Sequence, residues 1–404
     1  MTGTLPLADI TVLEFSHAIM GPSAGMIFGD LGADVIKIEP VPDGDRTRRL
    51  KKNGIGFFPY FSRNKRSLAI DTKAPETRPI LEALVRRADI MLENFAPGSM
   101  AKQGLGYEDA ARLNPRIVYC ALKGFLSGPY ENRRALDEIA QMMSGLAFMT
   151  GPTGRPLRAG TSVIDILGGM GAVVGALAAL REREKTGRGQ LVKTGLFEAA
   201  SFIMGQQVVQ HMISGEPLVS MAEPIRAWGI YDIFLASDAR MIFIGVVTET
   251  QWRRFCQVFE RPDLAADARL ATNSERVEQR DWLIPALKGF FAQFDAETLL
   301  AKCEQAELAF GPVNRPEDLI DDPHLNYQGR MKEVTLPDGK RVKVPRLPIE
   351  MGERWFSARR DPPAVSADAR DILAEIGVPD DEIERLAQAG KLVLPARPAT
   401  KAAE

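Results

Sequence analysis

Residues 10–39 read ITVLEFSHAIMGPSAGMIFGDLGADVIKIE, and their pattern decides the fold. Residues 10–15 form an apolar run short enough for a buried strand. Residues 21–31 place small and apolar side chains at helical spacing, and residues 34–39 make a second strand. The alternation continues with an extended segment at 67–71 and a helix at 75–87, where Ile80, Leu81, Leu84 and Val85 share one side. A strand at 89–93, a helix at 107–113 and a strand at 117–122 follow. Strand and helix in alternation predict a doubly wound α/β layer with a parallel sheet. In such sheets ligands lie beyond the carboxyl ends of the strands.

From residue 136 to 214 the pattern turns mainly helical, broken by Lys185-Thr-Gly-Arg-Gly-Gln190, with one long helix expected over 197–213. Residues 218–228 read as a linker. Residues 231–236 and 241–247 then flank a short polar turn, a β-hairpin pattern. Helices are expected at 250–259, 282–294 and 297–307, and Phe310-Gly-Pro-Val-Asn314 reads as a turn. Residues 334–346 hold an Asp338-Gly339 turn between strand-like runs, and amphipathic helices follow at 366–376 and 380–389. Residues 393–404 carry the composition of a disordered tail.

Apolar residues make up 45% of the 404, and charged residues 26%, which is globular composition. Lys and Arg number 51 against 53 Asp and Glu, a net charge of −2, so no overall positive field points to nucleic acid. Cys120, Cys256 and Cys303 are too far apart for a disulfide framework, and no His pair sits at metal-ligand spacing. A reducing, cytoplasmic setting without a metal is expected. The first residues show no basic segment leading into an apolar one, so no signal peptide is read. Residues 163–180 (VIDILGGMGAVVGALAAL) are apolar but short for a membrane span and start near a carboxylate, so a buried helix is expected, with small residues admitting a neighbouring helix.

No GxGxxG follows the first strand, and no Walker A, HExxH or GxSxG is present. What remains is Asp165 in its apolar surround. It reads as a helix cap, or as a carboxylate able to attack an acyl carbon with helix N–H groups facing the developing oxyanion; the two are compatible. Gly168 and Gly169 then let a substrate approach the backbone. Basic residues at Lys65, Arg66, Lys73, Lys102, Arg46, Arg48 and Arg49, with Asn94-Phe95, suit a solvated face or a ligand with phosphates and an aromatic base.

These motifs together resemble one family. Leu13-Glu-Phe-Ser-His17 with Gly21-Pro22, Leu31-Gly-Ala-Asp-Val-Ile-Lys-Ile-Glu-Pro40, Asn64-Lys-Arg-Ser67, Glu93-Asn-Phe95, Gln141-Met-Met-Ser-Gly-Leu146, Lys185-Thr-Gly-Arg-Gly-Gln190 and Phe310-Gly-Pro-Val313 occur in this order. They are similar to the class III CoA-transferases (CaiB/BaiF, formyl-CoA-transferase type) over roughly residues 6–392. The resemblance implies a large Rossmann-like CoA-binding domain from residues 1–220 and 330–392, a smaller α+β domain at 225–325, and a homodimer interlocked like two rings. It implies an acyl-CoA and a small carboxylic acid as substrates, CoA as the group transferred and no permanently bound cofactor; the charge balance and the short apolar segment already predict no nucleic-acid or membrane partner. Asp165 becomes the nucleophile that forms an aspartyl anhydride and then an aspartyl-CoA thioester.

By the same resemblance His17 and Ala18 line the thioester end, Asn94 and Phe95 form a CoA-contacting pair, Ile70 and Lys73 lie near the adenosine, and Lys102 and Arg134 stand where the formyl-CoA branch has other cations. Arg46 and Arg158 are candidates for a second substrate carboxylate, since guanidinium binds carboxylate bidentately. Ile19 replaces that branch's glutamine, and residues 218–227 lack its tetraglycine loop, so formyl-CoA and oxalate are not expected. Segments 121–130 and 157–165 resemble branches acting on succinyl, mesaconyl, itaconyl, citramalyl or glutaryl groups. The 2-methylacyl-CoA racemases of this superfamily pair the Asp with a His that here is Leu136, so a racemase lacks its second base. A non-catalytic subunit of a heteromeric transferase is the other alternative, and the presence of Asp165 argues against it.

Overall fold

The computed structural model describes residues 4–223 and 227–395. Six strands build the main sheet: β1 (Thr11–Phe15), β2 (Asp34–Glu39), β3 (Lys65–Ala69), β4 (Ile90–Glu93), β5 (Val118–Lys123) and β6 (Leu191–Gly195). Every pairing is parallel, in the order β3-β2-β1-β4-β5-β6. This is the dinucleotide-type order, with its reversal between β1 and β4.

Alternation along each strand feeds two cores. Val12, Val35, Ile90, Leu92 and Val118 point to one face, covered by α1 (Met20–Asp30) and later by a long helix. Leu13, Ile36, Leu68 and Met91 point to the other, covered by α2 (Arg78–Arg87) and α3 (Tyr107–Leu113). Behind β5 come α4 (Asp137–Met143), α5 (Val163–Thr186), α6 (Leu196–Ile203) and α7 (Gly205–Ser214).

The chain divides into two units, one of residues 1–222 with 324–404 and one of 223–323. The second holds an antiparallel sheet of β7 (Ile230–Leu235), β8 (Met241–Val246) and β9 (Ala309–Pro312). Helices α8 (Glu249–Val258), α9 (Arg280–Phe291) and α10 (Ala296–Gln305) cover it around Phe234, Phe255 and Phe291. In the first unit the returning chain forms the hairpin β10–β11 (Met331–Thr335 and Arg341–Pro345) and helices α11 (Ala369–Glu375) and α12 (Asp380–Gln388). Ile372, Leu373, Ile383 and Leu386 join the second core of the main sheet. Ser366 Oγ accepts the Ala69 N–H at 3.0 Å, and Asp368 Oδ2 the Ser67 N–H at 2.9 Å, so the returning chain stitches onto β3.

Three local expectations are corrected. Residues 191–195 continue the sheet as β6 although residues 136–214 read as mainly helical. The Phe310-Gly-Pro segment is edge strand β9, not a turn; Pro312 stands at its last position, where a missing N–H is tolerated. The expected long helix over 197–213 breaks at Met204 into α6 and α7. Within the linker, residues 224–226 lie outside the described residues, as do 396–404 of the expected disordered tail.

Helix α5 is long and apolar enough to cross a membrane by length and composition. Here it lies against α1 and the sheet. A Cβ on Gly169 would meet Ser23 Oγ at 2.1 Å, and one on Gly175 would meet Val192 Cγ1 at 2.7 Å. Its glycines therefore admit α1 on one side and β6 on the other, not a substrate.

Candidate active site

At the sheet's reversal point the chains leaving β1 and β4 turn to opposite faces, the place where sheets of this kind hold their ligands. The loop after β1 carries His17 and Ala18; the turn after β4 carries Asn94 and Phe95. Asn94 clamps the loop with both ends of its amide: Oδ1 accepts the His17 N–H at 3.0 Å and Nδ2 donates to the His17 carbonyl at 2.7 Å. The Phe95 and His17 rings meet edge to face, centroids 5.3 Å apart. Ala18 is held at φ +62°, a left-handed conformation costly for a residue with a Cβ.

The loop is also tied from beneath. Glu14 on β1 is fully buried and flanked by Lys37 Nζ at 3.1 Å and Lys65 Nζ at 2.6 Å. Lys37 donates to the Ser16 carbonyl at 2.8 Å, and Lys65 to the Pro22 carbonyl at 2.9 Å. The two lysines thus hold the start of the loop and the first turn of α1 that follows it. Their charges keep Glu14 below the ordinary glutamate range against the opposing effect of burial, while burial pulls Lys65 down to about 8. Among the described residues His17 Nδ1 is buried without a partner, and burial, then the charge of Arg46, lower the imidazole's pKa, which keeps it neutral near pH 7.

Asp165 stands in the first turn of α5. The cap position belongs to Ser162, so the helix-cap reading is corrected. The first-turn N–H groups are all engaged. Val163 donates to the Thr161 carbonyl at 2.9 Å and Ile166 to the Ser162 carbonyl at 3.1 Å. Ile164 and Asp165 both donate to Asp137 Oδ2, at 2.8 and 3.0 Å. No helix-end donor is left for an oxyanion, which corrects that expectation too. Among the described residues the Asp165 carboxylate receives no hydrogen bond and has no cation within ion-pair distance. Burial, followed by the charges of Asp137 and Glu138, pushes its pKa up to about 7. A Cβ on Gly168, one turn on, would lie 2.4 Å from Met20 Cε, so this end of α5 abuts the start of α1, directly after the His17 loop.

The remaining expected residues are Lys73, Lys102, Arg46, Arg134, Arg158 and Ile70. Lys73 and Lys102 are exposed, on segments joined by the Thr72 hydroxyl donating to Gln103 Oε1 at 2.8 Å. Between the ends of β4 and β5 and the Pro97-Gly98 turn lies a cavity of about 200 Å³ lined by Glu93, Tyr107, Tyr119, Lys123 and Phe125. Arg46 and Arg134 are exposed and carry no ion pair among the described residues. Arg158, by contrast, is paired with Glu138 at 2.6 Å. Ile70 is fully buried in the second core, so its side chain presents no surface to a ligand; it anchors the turn before Lys73. Among the described residues no group of three His, Cys, Asp or Glu side chains could hold a metal ion.

Asp137 and Gln141 are the residues the sequence did not single out for this site. An acid at a helix start with Gln four positions later is a common pattern; nothing local announces a partner helix 26 residues further on.

Comparison with known proteins places these features in a wider set. Residues 7–369 match the model of CoA-transferase family III. The chain is 32% identical over 95% of its length to succinate–glutarate CoA-transferase of Agrobacterium fabrum, covering 97% of that protein. It is 30% identical to succinyl-CoA–D-citramalate CoA-transferase of Chloroflexus aurantiacus, over 94% of this chain and 96% of that one. To succinyl-CoA:mesaconate CoA-transferase of Haloarcula hispanica it is 32% identical, over 92% and 96% of the two. A crystal structure of a CaiB/BaiF family protein from Brucella suis superposes with a TM-score of 0.81 at 32% identity, covering 93% of this chain and all of that one.

Proposed function

The chain belongs to CoA-transferase family III, and from that premise we propose that it carries CoA between short dicarboxylic acids by covalent catalysis at Asp165. The relatives similar to it along nearly their whole length bear the names of succinyl, glutaryl, citramalyl and mesaconyl transfer, which supports this substrate class. The observation that carries the mechanism is the Asp165 carboxylate itself, without a donor among the described residues, partly buried, and one turn before Gly168, which packs on Met20 at the start of α1.

In the reaction an Asp165 oxygen attacks the thioester carbon of the donor, and the C–S bond breaks. An aspartyl–acyl anhydride and CoA thiolate result. The thiolate attacks the aspartyl carbonyl and expels the donor acid, leaving an aspartyl-CoA thioester. The acceptor carboxylate attacks that thioester, and the thiolate then takes the new acyl group and frees Asp165. A carboxylate without donors is a stronger nucleophile than a solvated one. The amides of α5 being engaged, the Ala18 and Ile19 N–H groups are the donors left for the oxyanion; neither bonds a protein acceptor among the described residues.

CoA lies along His17, Ala18, Asn94 and Phe95 toward Lys73, Lys102 and Arg134 in this reading, and Arg46 takes the second carboxylate. Arg158 joins it only by leaving Glu138, an exposed pair of small energy. A second copy of the chain interlocks with the first; the apolar side chains left exposed on α6 and α7, Phe202, Met212 and Ile213, support that association. The free, buried Cys120, Cys256 and Cys303 fit a reducing, cytoplasmic setting.

Intact-protein mass spectrometry after succinyl-CoA and then hydroxylamine tests the reading. A hydroxamate mapped to Asp165 and absent from Asp165→Ala is expected, followed by a preference for dicarboxylates over monocarboxylates in an acceptor panel. An unmodified protein refutes covalent transfer, and a monocarboxylate preference refutes the substrate class.

A further inference from the structure

Two carboxylates converge on the start of α5, and they are treated in opposite ways. Asp137 is buried and saturated. Its Oδ2 accepts the N–H groups of Ile164 and Asp165, and its Oδ1 accepts Gln141 Nε2. Gln141 is fixed in turn, because its Oε1 accepts the Ala159 N–H at 2.8 Å. Asp165, whose place in a first helical turn ordinarily brings the stabilising field of the helix end, receives no donor among the described residues. The donors it would have used point at its neighbour.

Resting on the covalent reading above, we propose that Asp137, locked by Gln141, is a positioning residue that takes the α5 amides in place of Asp165 and thereby decides when the nucleophile is charged. A fully solvated or helix-capped aspartate is ionised throughout the physiological range but is a weak nucleophile. Withholding donors and adding a fixed negative charge alongside raises its basicity and its nucleophilicity together. The other charges acting on Asp165 are few. Glu138, also on α4, opposes ionisation but is exposed and neutralised by Arg158 at 2.6 Å. From α1, Met20 and Ser23 face this part of α5, and neither titrates. Glu198 on α6 is turned to Gly195, where a Cβ would lie 2.0 Å from its Oε2.

The test is the pH dependence of the hydroxylamine-trapped adduct in single-turnover reactions with succinyl-CoA, for wild type, Asp137→Asn and Glu138→Gln. Asp137→Asn keeps an oxygen to accept the two amides and removes the charge, while its Nδ2 takes the place of the oxygen that accepted Gln141 Nε2, so that bond is lost with it. The wild-type adduct rate should fall as pH drops through about 7, the ionisation point of Asp165. In Asp137→Asn that midpoint should move down by about one unit or more, with a lower plateau rate at high pH. Glu138→Gln, on an exposed pair and no threat to folding, should move it down by a smaller step. A purely structural role for Asp137 lowers the rate at every pH and leaves the midpoint in place. That result, or an equal shift from the two variants, overturns the inference. No adduct in wild type at any pH refutes the covalent reading instead.

Discussion

Replacing Asp165 by Asn should make the protein more stable, and increasingly so as pH rises. The ordinary aspartate value is 3.8, and in the folded chain Asp165 titrates at about 7. Below the ordinary value both folded and unfolded carboxyls are protonated, and the group costs nothing. Between the two values the unfolded state ionises first, so the folded state loses ground steadily; above about 7 the full penalty stands. One unit is worth about 1.4 kcal/mol, which puts the ceiling near 4 kcal/mol at pH 8 and somewhat under 2 kcal/mol at pH 5. The side chain is only partly buried, and water screens it; halving the ceiling leaves about 2 kcal/mol at pH 8 and about 0.8 kcal/mol at pH 5. At about 2 °C per kcal/mol for a chain of this size, Asp165→Asn should melt some 4 °C above wild type at pH 8 and about 1–2 °C above it at pH 5. Thermal scans of both proteins at the two pH values read this directly. An Asn variant less stable than wild type at pH 8, or an equal gain at both, refutes the argument that the Asp165 carboxylate is held at the expense of the fold.

Other substitutions probe the frame around that group. Asn94→Ala removes two hydrogen bonds to the His17 backbone; at about 1 kcal/mol each, kcat/KM for the acyl-CoA donor should fall up to about 30-fold, and unchanged kinetics would dissociate the loop from CoA binding. Gly169→Ala should destabilise by about 1–3 kcal/mol, because its Cβ meets the Met20 carbonyl at 2.7 Å as well as Ser23. Gly168→Ala should be milder, since its first obstacle is the mobile end of the Met20 side chain; the reverse ranking in denaturant titration would contradict the packing of α1 on α5. Arg46→Ala should raise KM for a dicarboxylate acceptor about tenfold and leave a monocarboxylate unaffected, and an equal effect on both would remove Arg46 from recognition.

The parallel sheet was legible because its central strands are buried on both faces and read as apolar runs; Val12, Leu13, Ile90 and Met91 announce β1 and β4 without tertiary knowledge. Strand β6 was not legible. It is an edge strand, half exposed, with Lys193 at its centre, so its composition is that of a loop. β9 was hidden by Gly311-Pro312, which punctuates a turn in most contexts but closes an edge strand here. For the site, ordered motifs singled out Asp165, His17 and Asn94, each close to a strand or helix end. They could not reveal that Gly168 and Gly169 face α1, or that Asp137 occupies the α5 amides. Both facts depend on which element packs against which, and single-sequence periodicity carries no such term.

The buried charges beneath the reversal point follow the same logic as the carboxylates above it. Glu14, Lys37 and Lys65 lie inside the sheet, where desolvation costs several kcal/mol per ion and attraction within the network offsets it in part. Apolar side chains of the same volume would serve stability as well. They would not serve geometry, because each lysine places one hydrogen on a main-chain carbonyl, Ser16 at the start of the loop and Pro22 in the first turn of α1 beyond it. With Asn94 holding His17 from the opposite side, the backbone can be kept at the positive φ of Ala18 without glycine. Among the described residues the Ala18 and Ile19 N–H groups are left without a protein acceptor, while the Ile164 and Asp165 amides are taken by Asp137. The donors are thus divided: the α5 amides go to Asp137, and in the proposed reaction it is the loop amides that would meet the oxyanion while Asp165 attacks.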